Sequence, residues 1–239
     1  MKSDEPVERL PDGEGVASAG PESATEKVTD AITQGIRAGI FVPGQHLLEP
    51  DLTQRLGISR GSLREALKHL AGDGIVTLSR FRGAYISTLN RKSVLDLLDV
   101  LEPLARLAAR LAAQNCDSDE ARARMLAAAA AIEQASKSRE RGRYLECRRR
   151  FYDTLILISG NDELARVMPL SRTDLFRAQV ESVQSEAQRR RHASGYAKIS
   201  RAVIEQDPAA ADRAVRRHFN GTRETMNVLP PSAFGLSET

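Results

Sequence analysis

Between residues 28 and 88 short helical stripes alternate with two brief extended runs, and beyond residue 90 only helical spacing remains. Val28, Ala31, Ile32, Gly35 and Ile36 mark an amphipathic helix that Gly39 can end. Ile40-Phe41-Val42-Pro43-Gly44 reads as an extended run into a turn. Glu49 to Leu56 predicts a short helix with Pro50 in its first turn, where the missing amide hydrogen would have no helical partner anyway. Gly57-Ile58-Ser59 forms a three-residue turn, and Leu63, Ala66, Leu67 and Leu70 put one apolar stripe on the helix that follows. Ile75-Val76-Thr77-Leu78 and Ala84-Tyr85-Ile86-Ser87 read as paired strands around Ser79-Arg80-Phe81-Arg82-Gly83. The predicted product is a helix-turn-helix followed by a hairpin wing.

In the second half Ser93 is placed to cap a helix carrying Val94, Leu95, Leu97, Leu98 and Leu101, with Pro103 starting or kinking its continuation through Leu111. An alanine-rich helix runs from Asp117-Ser118-Asp119-Glu120 to about residue 139. Further helices are predicted at about 142–159, 162–191, 195–206 and 208–227, separated by Ser159-Gly160-Asn161, Ala193-Ser194-Gly195 and Gln206-Asp207-Pro208. The expected fold class is mainly α: an N-terminal winged helix-turn-helix plus a C-terminal antiparallel all-α bundle of six to seven helices. Its divisions are a disordered acidic arm (1–24), a winged domain (25–88), a helical domain (89–228) and a flexible tail (229–239) with Pro230-Pro231 and Gly235.

Composition narrows the function classes. The 239 residues suffice for two domains, and 41% hydrophobic residues can fill two cores. Apolar runs long enough for a membrane span and a basic-then-apolar leader are both missing, so the expectation is a cytoplasmic protein with no membrane partner. Cys116 and Cys147 have no paired spacing, which argues against a disulfide framework or a structural zinc site. Residues 1–25 carry two Lys/Arg against six Asp/Glu, or −4, so with a net charge of +3 the remaining chain carries +7. A basic body is compatible with DNA as a partner. Phosphate loops, His-Glu-x-x-His pairs and nucleophile elbows are absent from the sequence, and no enzyme is expected.

The chemistry-bearing surface is the helix from Ser59. Ser59 can accept from the free amides of its first turn, and Arg60, Arg64 and Lys68 recur every four residues opposite the leucine stripe. Arg60 opposes the helix dipole, a cost that a phosphate or base would remove. Two planar guanidinium forks can pair with guanine O6 and N7, each worth about 1 to 3 kcal/mol of discrimination. Lys68, Arg80 and Arg82 are better suited to phosphate.

Residues 28–88 resemble the winged helix-turn-helix of the GntR family of bacterial transcription regulators. The resemblance is carried by Pro43-Gly44-Gln45, Leu47, Leu52, Leu56-Gly57-Ile58-Ser59-Arg60, Leu63-Arg64-Glu65-Ala66-Leu67, Leu70, Gly74 and Gly83. It implies that Arg60 and Arg64 contact operator DNA, that Ser59 and Ser62 bind phosphates or bases, and that the wing glycine Gly83 approaches the minor groove. Pro50 stands where some members have a further DNA-contacting arginine.

The second half is similar to the FCD domain of one GntR subfamily, through Leu101-Glu102-Pro103-Leu104-Ala105, Phe151, Ser159-Gly160-Asn161, Ile204 to Asp207 and His218. That subfamily commonly holds a divalent metal that anchors a carboxylate effector. The ligand positions correspond here to Arg148, Tyr152, Tyr196 and His218, so three ligands are replaced, and neither a metal nor any other cofactor is expected. The expected effector residues are these four, with Arg148 pairing a carboxylate and the others supplying hydrogen bonds. In the other reading Arg148 reaches solvent and the tyrosines fill the core.

The expectation is a homodimeric repressor of metabolic genes that reads an inverted repeat and is released by a small organic or aromatic acid acting through the Ser87 to Lys92 connector. The alternatives are a helical-bundle enzyme acting on a small molecule, and an architectural DNA-binding protein without an effector.

Overall fold

Ser23 and Glu26 close a capping box, each side chain bonding the other's backbone amide, so α1 (Ala24–Ala38) begins four residues before the hydrophobic stripe does. In the computed structural model residues 23–138, 140–181 and 183–235 are described. The acidic arm expected over residues 1–24 therefore lies almost wholly outside the described residues. Gly39 ends α1 in the left-handed conformation, at φ 79°.

The turn at Gly44 leads into β1 (His46–Leu47), a two-residue strand that the apolar pattern did not announce. Next come α2 (Glu49–Leu56), α3 (Arg60–Gly72), β2 (Val76–Ser79) and β3 (Gly83–Ile86). The sheet order is β1-β3-β2, antiparallel throughout, with His46 opposite Tyr85 and Val76 opposite Ile86. Gly83 sits at φ 84°, and a Cβ there would stand 2.9 Å from the His46 imidazole, so both conformation and space call for glycine. Leu63, Ala66, Leu67 and Leu70 are buried against Val28, Ile32 and Ile36 of α1, as the stripe on α3 requires.

The helical half holds α4 (Arg91–Asn115), α5 (Asp119–Ser136), α6 (Arg141–Ser159), α7 (Asp162–Val167), α8 (Leu170–Glu181), α9 (Glu186–Ile204) and α10 (Pro208–Val228). Three expectations are corrected here. Asn90, not Ser93, caps α4, accepting from the Ser93 amide at 2.8 Å. Pro103 neither starts nor breaks that helix: it lies on the exposed side, where water can reach the freed carbonyl, while Leu98, Leu101 and Ala105 bury the opposite side. The helix expected over 162–191 is three helices, broken at Met168-Pro169 and again before Ser185, whose capping box with Gln188 starts α9. Correspondingly, Ala193-Ser194-Gly195 is no break but the middle of α9.

Packing joins α4 to α10 and α6, α5 to α6 and α9, and α9 to α10. The winged half is not a separate bead, since α1 packs on α6 and α8. A Cβ on Gly142 of α6 would come within 3.0 Å of the Ala38 carbonyl oxygen at the end of α1.

The tail expected to be loose from residue 229 is docked as far as Gly235. A 3-10 turn (Pro231–Ala233) buries Leu229 and Ala233, and the Gly235 amide donates to the Leu89 carbonyl at 2.9 Å. The Gln179 side-chain amide ties the same region together: it accepts from the Leu89 amide at 2.9 Å and donates to the carbonyls of Leu89 and Ala233 at 2.8 and 2.9 Å. Arg91 covers the end of α10 by donating to the carbonyls of Met226, Asn227 and Leu229, and its guanidinium lies 4.6 Å from the Phe234 ring centre.

Candidate DNA-binding surface and effector cavity

The turn geometry presents α3 as the sequence predicts. Gly57 is left-handed at φ 64° and releases α2, and Ser59 caps α3 by accepting from the Ser62 amide at 3.0 Å. The Ser59 and Ser62 hydroxyls are 2.9 Å apart. Arg60, Arg64 and Lys68 are exposed on one side of α3, and Arg80, Arg82 and Gly83 are exposed on the wing. Arg64 is not free: its Nε donates to Glu49 at 3.2 Å. Lys68 pairs with Glu65 at 2.7 Å. Both pairs face solvent, where such bridges contribute about 0 to 1 kcal/mol, so a phosphate or guanine edge can displace the carboxylates. Phe81 tops the wing at 91% exposure, with the Arg80 guanidinium 5.8 Å from its ring centre.

The four effector candidates meet inside the helical half. Arg148 and Tyr152 come from one side of α6, Tyr196 from α9 and His218 from α10, and all four are buried. The Arg148 guanidinium lies 5.0 Å from the Tyr152 ring centre, Tyr152 packs edge-on against Tyr196, and the Tyr196 and His218 rings are 4.5 Å apart. Arg148 does not reach solvent. It donates to Asp174 Oδ1 at 2.9 Å, and both side chains are at most 2% exposed. A metal ion does not fit this set, because a paired guanidinium and two buried tyrosines occupy the ligand positions. Burial pushes the Tyr152 phenol well above its ordinary range, so it stays protonated. Among the described residues no three His, Cys, Asp or Glu side chains converge in a way that could hold a metal.

Residues missed in the sequence complete the cluster. Tyr144, one turn before Arg148, places its hydroxyl 2.7 Å from His192 Nδ1. His192, one turn before Tyr196, stacks at 4.5 Å on His218 and meets the Arg177 guanidinium through Nε2. Arg177 also donates to the Thr222 hydroxyl at 3.3 Å. The i, i+4 spacing of Tyr144 to Arg148, His192 to Tyr196 and His218 to Thr222 was a usable signal. Asp174 and Arg177 were hidden in the long helix expected over 162–191.

Charge is unbalanced across this cluster. Asp174 accepts from Arg148, from Arg149 at 3.1 Å and from Arg37 at 3.5 Å. Arg177, 3% exposed, has no carboxylate within 4 Å among the described residues. Arg177 lines a cavity of about 160 Å³ between α9 and α10, together with His192, Gly195, His218 and Thr222. Arg191, Lys198 and Arg217 stand exposed at its rim, and among the described residues no Asp or Glu lines it. Burial and the Arg177 charge press both imidazoles toward the neutral form: His218 is lowered to about 3 and His192 falls well below 6.5. Of the four expected effector residues, only His218 lines this cavity.

A reading helix and wing on one side, and an all-helical domain with a cationic cavity on the other, define a ligand-responsive class of DNA-binding regulator. Comparison with known proteins supplies the family. The pattern of "Bacterial regulatory proteins, gntR family" matches residues 24–86, and that of the FCD domain matches residues 96–221. The chain therefore belongs to the GntR family of transcription regulators, in the branch that carries an FCD effector-binding domain. It is 23% identical over 186 residues to the transcriptional regulator YdhC of Bacillus subtilis (strain 168), covering 76% of this chain and 81% of that one. It is 29% identical over 229 residues to the Glc operon transcriptional activator of Escherichia coli (strain K12), covering 84% and 88%. The fold is shared with E. coli McbR/YncC, at a TM-score of 0.75 and 17% identity over 86% of this chain and 97% of that one. A GntR regulator from Rhodococcus sp. RHA1 matches at TM-score 0.73 and 17% identity, over 86% and 98%. By name the Bacillus subtilis and Escherichia coli operon relatives are regulators of transcription, not enzymes. No helix among the described residues is long and apolar enough to cross a membrane.

Proposed function

We propose that this regulator is a cytoplasmic homodimeric repressor that reads an inverted repeat and releases it when a small monocarboxylate enters the helical domain. The observation that carries the effector reading is the buried, carboxylate-free guanidinium of Arg177 at the base of a cavity whose rim is cationic. A buried cation without a counter-charge is costly, and an incoming carboxylate would remove that cost while pairing bidentately. Arg177 thus takes the anion-binding role first assigned to Arg148, which Asp174 already neutralises. His218, whose ring nitrogens have no partner among the described residues, would hydrogen-bond the remaining ligand atoms, and no metal is required. A cavity of about 160 Å³ suits a compact acid rather than a long acyl chain.

On the DNA side, Arg60 and Arg64 read bases, Ser59, Ser62, Lys68, Arg80 and Arg82 bind phosphates, and Gly83 lets the wing backbone approach the minor groove. Val100, Leu104, Leu107 and Leu111 form an incompletely buried apolar stripe along α4, and a second copy is the natural cover for it. Two-fold symmetry then sets the inverted repeat.

The test uses duplexes recovered by selection from random DNA, followed by gel shifts at fixed salt. Arg60→Ala and Arg64→Ala each weaken binding to the selected site by about tenfold or more, the scale of one lost base contact, without altering the oligomeric state. Wild-type affinity in both variants would refute the assignment. In parallel, acetate, lactate and benzoate are screened by thermal shift with and without chelator. At least one raises Tm in the wild type and not in Arg177→Met, and an equal shift in both proteins would remove Arg177 from the site.

A further inference from the structure

The Asp174 carboxylate, 1% exposed on α8, is shared across the boundary between the two halves. Its Oδ1 accepts from Arg148 at 2.9 Å, and its Oδ2 accepts from Arg149 at 3.1 Å and from Arg37 at 3.5 Å. Arg148 and Arg149 belong to α6. Arg37 belongs to α1, the helix on which the reading helix α3 packs, and is itself 9% exposed. Arg37 Nε also donates to Glu146 of α6 at 3.0 Å. These two acidic contacts sit beside the close approach of Gly142 to the Ala38 carbonyl, so this is where α1 rests on the helical domain.

From the same carboxylate an unbroken series of side chains leads to the cavity. Arg148 lies over Tyr152, Tyr152 packs on Tyr196, and Tyr196 packs on His218, which lines the cavity. One buried atom along it, Arg148 Nε, has no hydrogen-bond partner among the described residues. It has a donor to offer a new acceptor. Arg37 is the most distant of the three guanidinium partners, at the long limit of a hydrogen bond, and so is the one most free to tighten.

We propose that Asp174 is a positioning residue that transmits effector occupancy to the DNA-binding half: an anion in the cavity draws Arg148 toward itself, and the carboxylate it leaves takes a closer grip on Arg37. This rests on the effector reading above and adds its route. The winged domain is then held against α6 and α8 in one orientation, which changes the spacing of the two reading helices in a dimer. The connector at Leu89 remains clamped by Gln179 and follows the domain instead of driving it.

The test needs no effector. Hydrogen–deuterium exchange is read by mass spectrometry on the full chain in peptides covering residues 33–41, comparing wild type, Arg148→Met and Arg149→Gln. Arg148→Met imitates withdrawal of the Oδ1 partner. Arg149→Gln removes a partner of Oδ2 whose side chain is partly exposed, so it remains informative if the buried Arg148 variant does not fold. Exchange at residues 33–41 slows at least threefold in either variant, and adding Arg37→Gln abolishes the slowing. A residue with only a structural role would instead speed exchange when a partner is lost. Unchanged or faster exchange in the folded variants overturns the proposal. An anion that binds wild type and is lost in Arg177→Met, together with such unchanged exchange, would leave the effector reading standing and the relay refuted. Slowed exchange without any anion binding would do the reverse.

Discussion

Replacing His192 and His218 together, as His192→Gln with His218→Asn, should remove a specific acid sensitivity. Both imidazoles are lowered from the 6.5 of a free side chain, His218 to about 3 and His192 well below its ordinary value, by burial first and by Arg177 second. Lowered basicity in the folded state means that the unfolded chain binds more protons as pH falls. Stability is therefore full above about pH 6.5 and is lost progressively below it, down toward the folded values. One pKa unit is worth about 1.4 kcal/mol. Between pH 7.5 and 5.5 His218 should cost on the order of 1 kcal/mol, about tenfold in the unfolding constant, and His192 adds a loss in the same direction. The chain has no tryptophan and four tyrosines, three of which, Tyr144, Tyr152 and Tyr196, belong to this cluster. Tyrosine emission thus reports on the site directly during urea unfolding. Carboxylates and the other two histidines are common to both proteins, so their contributions cancel in the difference. An equal loss of stability in wild type and double variant over this range would show that the imidazoles are not buried neutral beside Arg177. If a carboxylate occupies the cavity, it favours the protonated imidazoles, and the acid sensitivity should shrink in its presence.

Two further outcomes follow from packing. Gly195→Ala places a methyl carbon within 3.1 Å of His218 Cγ and closer still to Nδ1, which forces α9 and α10 apart. The expected cost is about 1 to 3 kcal/mol in urea unfolding, with loss of any carboxylate-induced thermal shift, and an unaltered protein would contradict the close approach. Leu104→Glu puts a charge into the α4 stripe, where the side chain is only partly buried. Sedimentation equilibrium should then report a monomer with an intact thermal transition, and a dimer of wild-type affinity would move the interface elsewhere.

Much of the winged half was legible because its signals are local. A stripe at Leu63, Ala66, Leu67 and Leu70, a glycine that must turn left-handed at Gly57, and a serine cap at Ser59 each act within a few residues of themselves. β1 was not legible, since His46 and Leu47 become a strand only by pairing with Tyr85 and Ala84, nearly forty residues away. In the helical half, helix existence was readable from spacing but boundaries failed where a tertiary contact overrides a local preference. Gly195 reads as a breaker and serves as clearance for His218, and Pro103 reads as a kink and is absorbed on a solvent-facing side. The breaks at Met168-Pro169 and at the Ser185–Gln188 box were present as local signals and were outweighed by the apolar run around them. Arg148, Tyr152, Tyr196 and His218 were brought together as the family resemblance implied, yet the counter-charge on Arg148 came from Asp174 on a different helix, which no spacing on α6 encodes.

The docked end of the chain has a practical side. Gly235 is one hydrogen bond from Leu89, and Ala233 shares the Gln179 amide with that same connector residue. An affinity tag or reporter fused after residue 239 would begin four residues from the joint between the domains, and its bulk would load the hinge directly. Fusions placed ahead of Met1 stand more than twenty residues before the Ser23 cap of α1 and are the ones to use when measuring how a ligand alters DNA release.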